Sequence, residues 1–274
     1  MLSPGSSFAG YVIEDVVGAG GIGVLYRARQ LRLDRPVALK LVGAETASDP
    51  VIRERLRREA RAVAALDHPN VVPLYEAGEE DGTVFIATRW VDGSELGNLI
   101  DSEGPLEPYR AARTAAQIAA ALEVAHEKGL VHRDVKPSNV ILTPEDHVYL
   151  TDFALVKRAG TAAGLTAVDQ MLGTVDYVAP EQIEGAEPDA RGDVYSLACV
   201  LYEMLAGEAP FAGQKGGMAK MWAHVNAEPQ ALRERRPEVS PALEQVVRRG
   251  MAKAPEARPT AAGFRKALLQ VTGA

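Results

Sequence analysis

The chain has 274 residues, of which 47% are apolar and 24% charged, a size and balance suited to a soluble globular protein with sizeable cores. A net charge of −7 argues against general nucleic-acid binding, which needs a basic surface. No signal peptide and no apolar run of membrane-spanning length is present, so the chain as given is expected to be soluble.

Residues 11–17, 23–30 and 36–42 read as strands, with glycines punctuating the first two. Residues 49–66 read as a charged helix with Val51, Ile52, Leu56, Ala60, Val63 and Ala64 along one side. His68-Pro69-Asn70 stops it, because proline cannot continue a helix and restricts the residue before it. Residues 71–76 and 83–90 are two further predicted strands. After Val91-Asp92-Gly93 the texture changes. Residues 108–128 read as an alanine-rich helix closed by Gly129. Residues 191–206, 241–252 and 260–271 are further predicted helices. Cys199 lies in an apolar run of the first of these, so it is expected to be buried and inert. Residues 159–167 are small and polar, and read as a mobile loop. A strand-rich segment 1–90 and a mainly helical segment 91–274, joined near 88–92, predict two unequal lobes of an α+β protein with a ligand cleft between them.

Val17-Gly18-Ala19-Gly20-Gly21-Ile22-Gly23-Val24-Leu25 contains G-x-G-x-x-G. A dinucleotide-binding turn gives the same string, but there the glycines open a helix, whereas residues 24–30 read as a second strand. A strand–turn–strand flap can lay backbone N–H groups over phosphates. In Val37-Ala38-Leu39-Lys40, strand alternation puts Ala38 and Lys40 on one face. Ala38 leaves room for a purine ring, and Lys40 can reach phosphates, with Glu59 as a partner for its ammonium group.

His132-Arg133-Asp134-Val135-Lys136-Pro137-Ser138-Asn139, followed by Asp152-Phe153-Ala154, carries the most chemistry. It offers a proton acceptor (Asp134), a cation for a migrating phosphoryl group (Lys136) and two hard oxygen ligands for Mg²⁺ (Asn139 and Asp152). A single Asp or Asn in a loop is more often a cap or turn residue. Together they point to phosphoryl transfer.

Over nearly its full length, from about Tyr11 to Leu269, the sequence resembles the eukaryotic-type protein kinases, and most of all the bacterial serine/threonine kinases. Ala179-Pro180-Glu181, Asp193 in Asp-Val-Tyr-Ser-Leu and Arg258 in Ala-Arg-Pro extend the likeness. The resemblance implies a bilobal kinase fold, ATP as phosphoryl donor, Mg²⁺ with Mn²⁺ as an alternative, and protein serine or threonine hydroxyls as acceptors. It implies that Glu181 pairs with Arg258, that Asp193 braces the catalytic loop, and that Thr174 bridges Asp134 and Lys136. Leu25 and Ala38 would roof the adenine site and Ile141 would floor it. Thr88 would be a small gatekeeper leaving a back pocket open, and Arg89–Val91 the hinge. Lys136 in Asp-x-Lys-x-x-Asn favours Ser/Thr over Tyr acceptors.

Arg133 before Asp134 goes, in that family, with activation-loop phosphorylation, and Thr161 and Thr166 are the candidate phosphosites. Trans-autophosphorylation would need a homodimer. The implied location is cytoplasmic, either alone or as the cytosolic part of a longer membrane-anchored kinase. Ala154 stands where the family carries glycine, which raises a second reading, a pseudokinase that binds nucleotide or a partner without turnover. Such proteins usually lose residues of the Lys40, Asp134 or Asp152 type, and this chain keeps them. A scaffold that binds no nucleotide is the third class. Ala154 is expected to restrict backbone flips at Phe153 and not to stop catalysis.

Overall fold

The computed structural model describes residues 1–20, 23–43, 50–153, 175–187 and 189–273. Gly21, Ile22, Ala154, Thr161, Thr166, Thr174 and the loop 159–167 lie outside the described residues, as does the expected helix start at residue 49. The chain divides into two units. One contains Met1–Asp67 and Val72–Asp92, the other His68–Val71, Gly93–Phe153 and 175–273.

In the first unit, the described strands are β1 (Ser7–Phe8), β2 (Tyr11–Gly20), β3 (Gly23–Gln30), β4 (Arg35–Val42), β5 (Leu74–Glu80) and β6 (Thr83–Arg89). They form an antiparallel sheet in the order β1-β2-β3-β4-β6-β5. Alternation places Tyr11, Ile13, Tyr26, Ala28, Val37, Leu39, Phe85 and Ala87 in one apolar core. Each large side chain buried there contributes about 1.5–3 kcal/mol. Phe8 and Tyr11 meet Phe85 edge to face, with centroids 5.8 and 5.9 Å away. Helix α1 (Pro50–Ala64) packs on β5. It ends two residues before the predicted stop.

The glycine segment is a hairpin. Gly18 pairs with Leu25, Ala19 with Val24 and Gly20 with Gly23. No helix follows the glycines, so the dinucleotide-binding alternative fails on geometry. Two register shifts, between Ile13 and Asp15 and between Val16 and Gly18, bend β2 before the glycines. Gly23 has φ +152°, and a Cβ there would lie 1.9 Å from the Leu41 carbonyl oxygen of β4. Backbone cannot yield as a flexible side chain can. Gly23→Ala is expected to cost about 1–3 kcal/mol in urea unfolding. Gly18→Ala, with nothing within 4 Å of its added Cβ, is expected to cost under about 0.5 kcal/mol. Equal losses would contradict this reading.

The second unit is built around α5 (Ala190–Ala206), which is buried on all sides from Gly192 to Tyr202. Asp189 caps it, accepting from the Arg191 and Gly192 N–H groups, and Gly207 closes it at φ 82°. Small residues on α3 (Pro108–Glu127), among them Ala111, Ala115 and Ala119, let it pack against α5 and the terminal helix α9 (Ala261–Thr272). The α2 helix (Leu96–Glu103), α4 (Pro180–Ile183), α6 (Gly217–Asn226), α7 (Leu232–Arg235) and α8 (Pro241–Gly250) complete the described helices. Three short strands, β7 (Ser94–Glu95), β8 (Val140–Leu142) and β9 (Val148–Leu150), form a small sheet in that order. Cys199 is fully buried, and burial pushes its thiol far above the ordinary range, as expected of an inert core thiol.

The expected strand 71–76 needs correction. It begins at Leu74 and runs to Glu80. Asn70 is drawn to the second unit, donating from Nδ2 to Val148 O (2.8 Å) and Gln117 Oε1 (3.1 Å), while Leu150 N–H donates to Asn70 O (2.8 Å). Val71 then forms a single parallel bridge with Leu150. The boundary therefore does not fall as one cut near residue 90.

On α6, His224 is wholly buried, with Nδ1 2.9 Å from the Tyr195 hydroxyl. Burial, and then Lys253 and Lys220, push it down to about 3 from an ordinary 6.5. Below pH 6.5 the unfolded chain takes up a proton that the folded chain refuses until about pH 3, so acid favours unfolding in that window, by up to about 1.4 kcal/mol per pH unit. Between pH 7 and 5, wild type is expected to lose about 2 kcal/mol more than His224→Gln in urea titrations. Parallel pH curves would refute this.

Candidate active site

The loop that follows α3 carries most of the chemistry. Gly129, at φ 71°, turns the chain out of the helix. Three residues later the backbone is clamped. Asp193, in the first turn of α5 and 1% exposed, accepts His132 N–H on Oδ2 and Arg133 N–H on Oδ1, both at 2.7 Å. Oδ2 also lies 2.8 Å from His126 Nε2. Arg133 sits at φ 65°, a conformation that residues with a Cβ rarely adopt.

His132 is fully buried and joins the loop to the strand end beside it. Its Nδ1 accepts from Asp134 N–H (3.2 Å), so the proton is on Nε2, which donates to Thr151 O (2.9 Å). The ring packs on Phe153 with centroids 4.6 Å apart. Phe153 is buried, whereas Asp152 is exposed and has φ 53°.

The side chain of Asp134 is positioned from two sides. Lys136 Nζ lies 3.1 Å from its Oδ2. Asn139 Nδ2 donates to that same oxygen at 3.1 Å and to Asp134 O at 2.7 Å. Asn139 belongs to a short 3-10 turn, Pro137–Asn139, and its backbone bonds to Lys136 and Thr151 fix the turn. With the amide nitrogen committed to Asp134, the Asn139 Oδ1 is the atom left to ligate a cation. Asn139 and Asp152 are hard oxygen donors. Among the described residues no three His, Cys, Asp or Glu side chains gather as a metal site. A two-ligand protein set fits Mg²⁺, which keeps waters and takes substrate phosphates as its other ligands.

Glu95, at the end of β7 and opposite Ile141 of β8, was not singled out from the sequence. Burial and the charge of Asp152 hold its carboxyl above the ordinary value, and Lys136 opposes them. Nothing in a lone glutamate marks it. Its place depends on strand pairing.

Glu181 and Arg258 form a bidentate pair, with NH1 to Oε1 and NH2 to Oε2 both at 2.7 Å. Arg258 Nε and its remaining N–H groups donate to the carbonyls of Ala252 (2.7 Å), Lys253 (2.8 Å) and Arg191 (3.1 Å).

In the first unit, Val17, Gly18, Ala19 and Gly20 are exposed, and Val24 and Leu25 follow on β3. Val37 and Leu39 point into the core, so Ala38 and Lys40 lie on the opposite face of β4. Lys40 is opposite Leu25 and Ile86, and Ala38 is opposite Thr88. Glu59 is on α1. Arg89 N–H is committed to Pro73 O (3.0 Å), so the hinge contact expected from Arg89–Val91 cannot use that donor.

Residues 11–268 match the family model described as the protein kinase domain. The chain is 42% identical over 262 residues to serine/threonine-protein kinase PknH of Mycobacterium bovis, covering 94% of this chain and 43% of that protein. It is 40% identical over 259 residues to serine/threonine-protein kinase PknE of Mycobacterium tuberculosis, covering 94% of this chain and 45% of that protein. The chain thus spans less than half the length of these curated relatives. Among solved structures, the Mycobacterium tuberculosis PknI kinase domain superposes with a TM-score of 0.80 at 29% identity, covering 100% of both chains.

Proposed function

The chain belongs to the protein kinase domain family, and from that premise we propose that it transfers the γ-phosphoryl group of ATP to serine and threonine hydroxyls of proteins. The observation that carries this is the grouping around Asp134, whose carboxylate is held by Lys136 and Asn139 at 3.1 Å each. Loss of any of Lys40, Asp134, Asn139 or Asp152 would favour a silent scaffold, and all four are present.

In this reading Asp134 orients the acceptor hydroxyl. As its oxygen bonds to the γ-phosphorus and the bond to the β-phosphate oxygen breaks, the hydroxyl proton passes to the Asp134 carboxylate and ADP leaves. Lys136 sets positive charge beside the moving phosphoryl group. Asn139 and Asp152 would hold Mg²⁺, which when bound neutralises phosphate charge, and Mn²⁺ has the same ligand chemistry. The exposed, Cβ-free backbone at Gly18 and Gly20 suits close approach to phosphates. Lys40, steadied by Glu59, would bind the α- and β-phosphates. Ala38, Leu25, Ile141, Thr88 and Val91 would contact adenine. Arg258 and Glu181 would anchor the substrate-binding segment.

Arg133 would receive a phosphate placed on Thr161 or Thr166 by a second copy of the chain. That makes a homodimer, at least in passing, part of the proposal, together with a cytoplasmic location. Among the described residues no helix is long and apolar enough to cross a membrane.

Incubation with γ-labelled ATP, Mg²⁺ and a generic basic protein, followed by phosphoamino-acid analysis, tests the reading. Label on serine and threonine supports it, and no label with wild type overturns it. Intact-mass measurement of wild type against Lys40→Met tests the autophosphorylation arm. No mass gain in wild type would remove it.

A further inference from the structure

We propose that Arg27, Trp90 and Asp92 form a splint that presets the backbone of Val91 for nucleotide, which makes the three side chains positioning residues for ATP binding. The inference deepens the kinase reading above and rests on it.

Of the hinge residues 89–91, Val91 has a main-chain donor to offer adenine. The Arg89 N–H is committed to Pro73 O at 3.0 Å. The Val91 N–H has no hydrogen-bond partner among the described residues. Val91 also lies past the end of β6 at Arg89, outside the strand ladder. A donor on such backbone samples many directions. Ordering it weakens binding unless something has ordered it beforehand.

The flanking side chains supply that order. The Trp90 indole Nε1–H donates to Asp92 Oδ1 at 2.9 Å. This bond joins the residues on either side of Val91, so both peptide groups of Val91 lie inside a closed ring of covalent and hydrogen bonds. Trp90 is in turn fixed to the sheet. The Arg27 guanidinium carbon lies 5.1 Å from the centre of its ring, within cation–π range. Arg27 is itself held, with Nε donating to Glu14 Oε2 at 3.0 Å, while Arg29 Nε takes the other Glu14 oxygen at 2.9 Å. Arg27 on β3 is opposite Ala38 on β4, and Ala38 is opposite Thr88 on β6. Side chains paired across strands share a face, so Arg27 stands in one row with two residues assigned to adenine contact. The restraint therefore runs from β2 through β3 to the Val91 backbone. A surface cation–π pair without that connection would have no consequence for nucleotide.

Substitutions in the whole chain test the splint, with Kd for Mg-ADP from isothermal titration and kcat at saturating Mg-ATP as readouts. Asp92→Ala removes the acceptor, whereas Asp92→Asn keeps an oxygen at the same reach. Arg27→Met removes the cation. Asp92→Ala and Arg27→Met are each expected to weaken Mg-ADP binding about 5- to 10-fold, with kcat within about twofold of wild type. Asp92→Asn is expected to stay within about twofold of wild type in both readouts. Trp90→Phe keeps a ring and loses the N–H, so it should match Asp92→Ala. Combining those two changes should add no further loss, because either one opens the same ring. The proposal is overturned if Asp92→Asn and Asp92→Ala bind alike, or if Arg27→Met binds as wild type does. Additive losses for Trp90→Phe and Asp92→Ala, a kcat that falls in proportion to affinity, or a wild type that binds no Mg-ADP would overturn it as well. Mg-ADP binding by a wild type that transfers no phosphate would instead defeat the kinase reading, and the titrations would still decide the splint.

Discussion

Arg258→Met is expected to lower the unfolding free energy by about 3–5 kcal/mol, a large part of the stability of an ordinary domain. Arg258 is 3% exposed and uses all its N–H groups, two on Glu181 and three on backbone carbonyls. Methionine fills much of the volume but supplies none of these donors. It strands the Glu181 carboxylate and three carbonyl oxygens, and that uncompensated polarity makes the loss large. Tyr195, whose ring lies 4.9 Å from the guanidinium, loses its cation contact as well. The melting temperature should fall by roughly 6–15 °C. Removing both charges in Glu181→Leu/Arg258→Met is expected to cost less than the sum of the single changes, because no lone charge is left behind. A loss below about 1 kcal/mol in Arg258→Met would contradict the assignment.

Legibility in the sequence followed distance along the chain. The Asp134, Lys136 and Asn139 cluster is local, and its spacing alone suggested the chemistry. Glu181 and Arg258 lie far apart, so only resemblance could pair them. His126 had no signal, since a lone histidine in a helix gains meaning only when Asp193 arrives from α5. The start of β5 was misread because Val71 and Val72 look like strand residues, while Asn70 ties the segment before them elsewhere. Helix α6 was missed for a different reason. Met218 and Trp222 are 73% and 64% exposed, so its apolar pattern does not mark the buried face that periodicity assumes. Strands β7 and β8, of two and three residues, are too short to show alternation.

Asp134→Asn is the second large effect expected. Asparagine keeps the size of aspartate, but it accepts no proton and places an NH₂ group among the donors of Lys136 and Asn139. The transferred proton then has no acceptor, and kcat is expected to fall about 10²–10⁴-fold. Stabilisation by Mg-ATP should survive, because Asp134 is assigned to the acceptor and not to the nucleotide. Loss of Mg-ATP stabilisation along with activity would point to a disrupted fold or site instead.

The most direct measurement is the rate of γ-phosphoryl incorporation into protein serine and threonine, at saturating Mg-ATP, by wild type and Asp134→Asn side by side. The account predicts steady incorporation by wild type and a loss of about 10²–10⁴-fold in the variant. Comparable rates in the two proteins, or none in wild type, would contradict it.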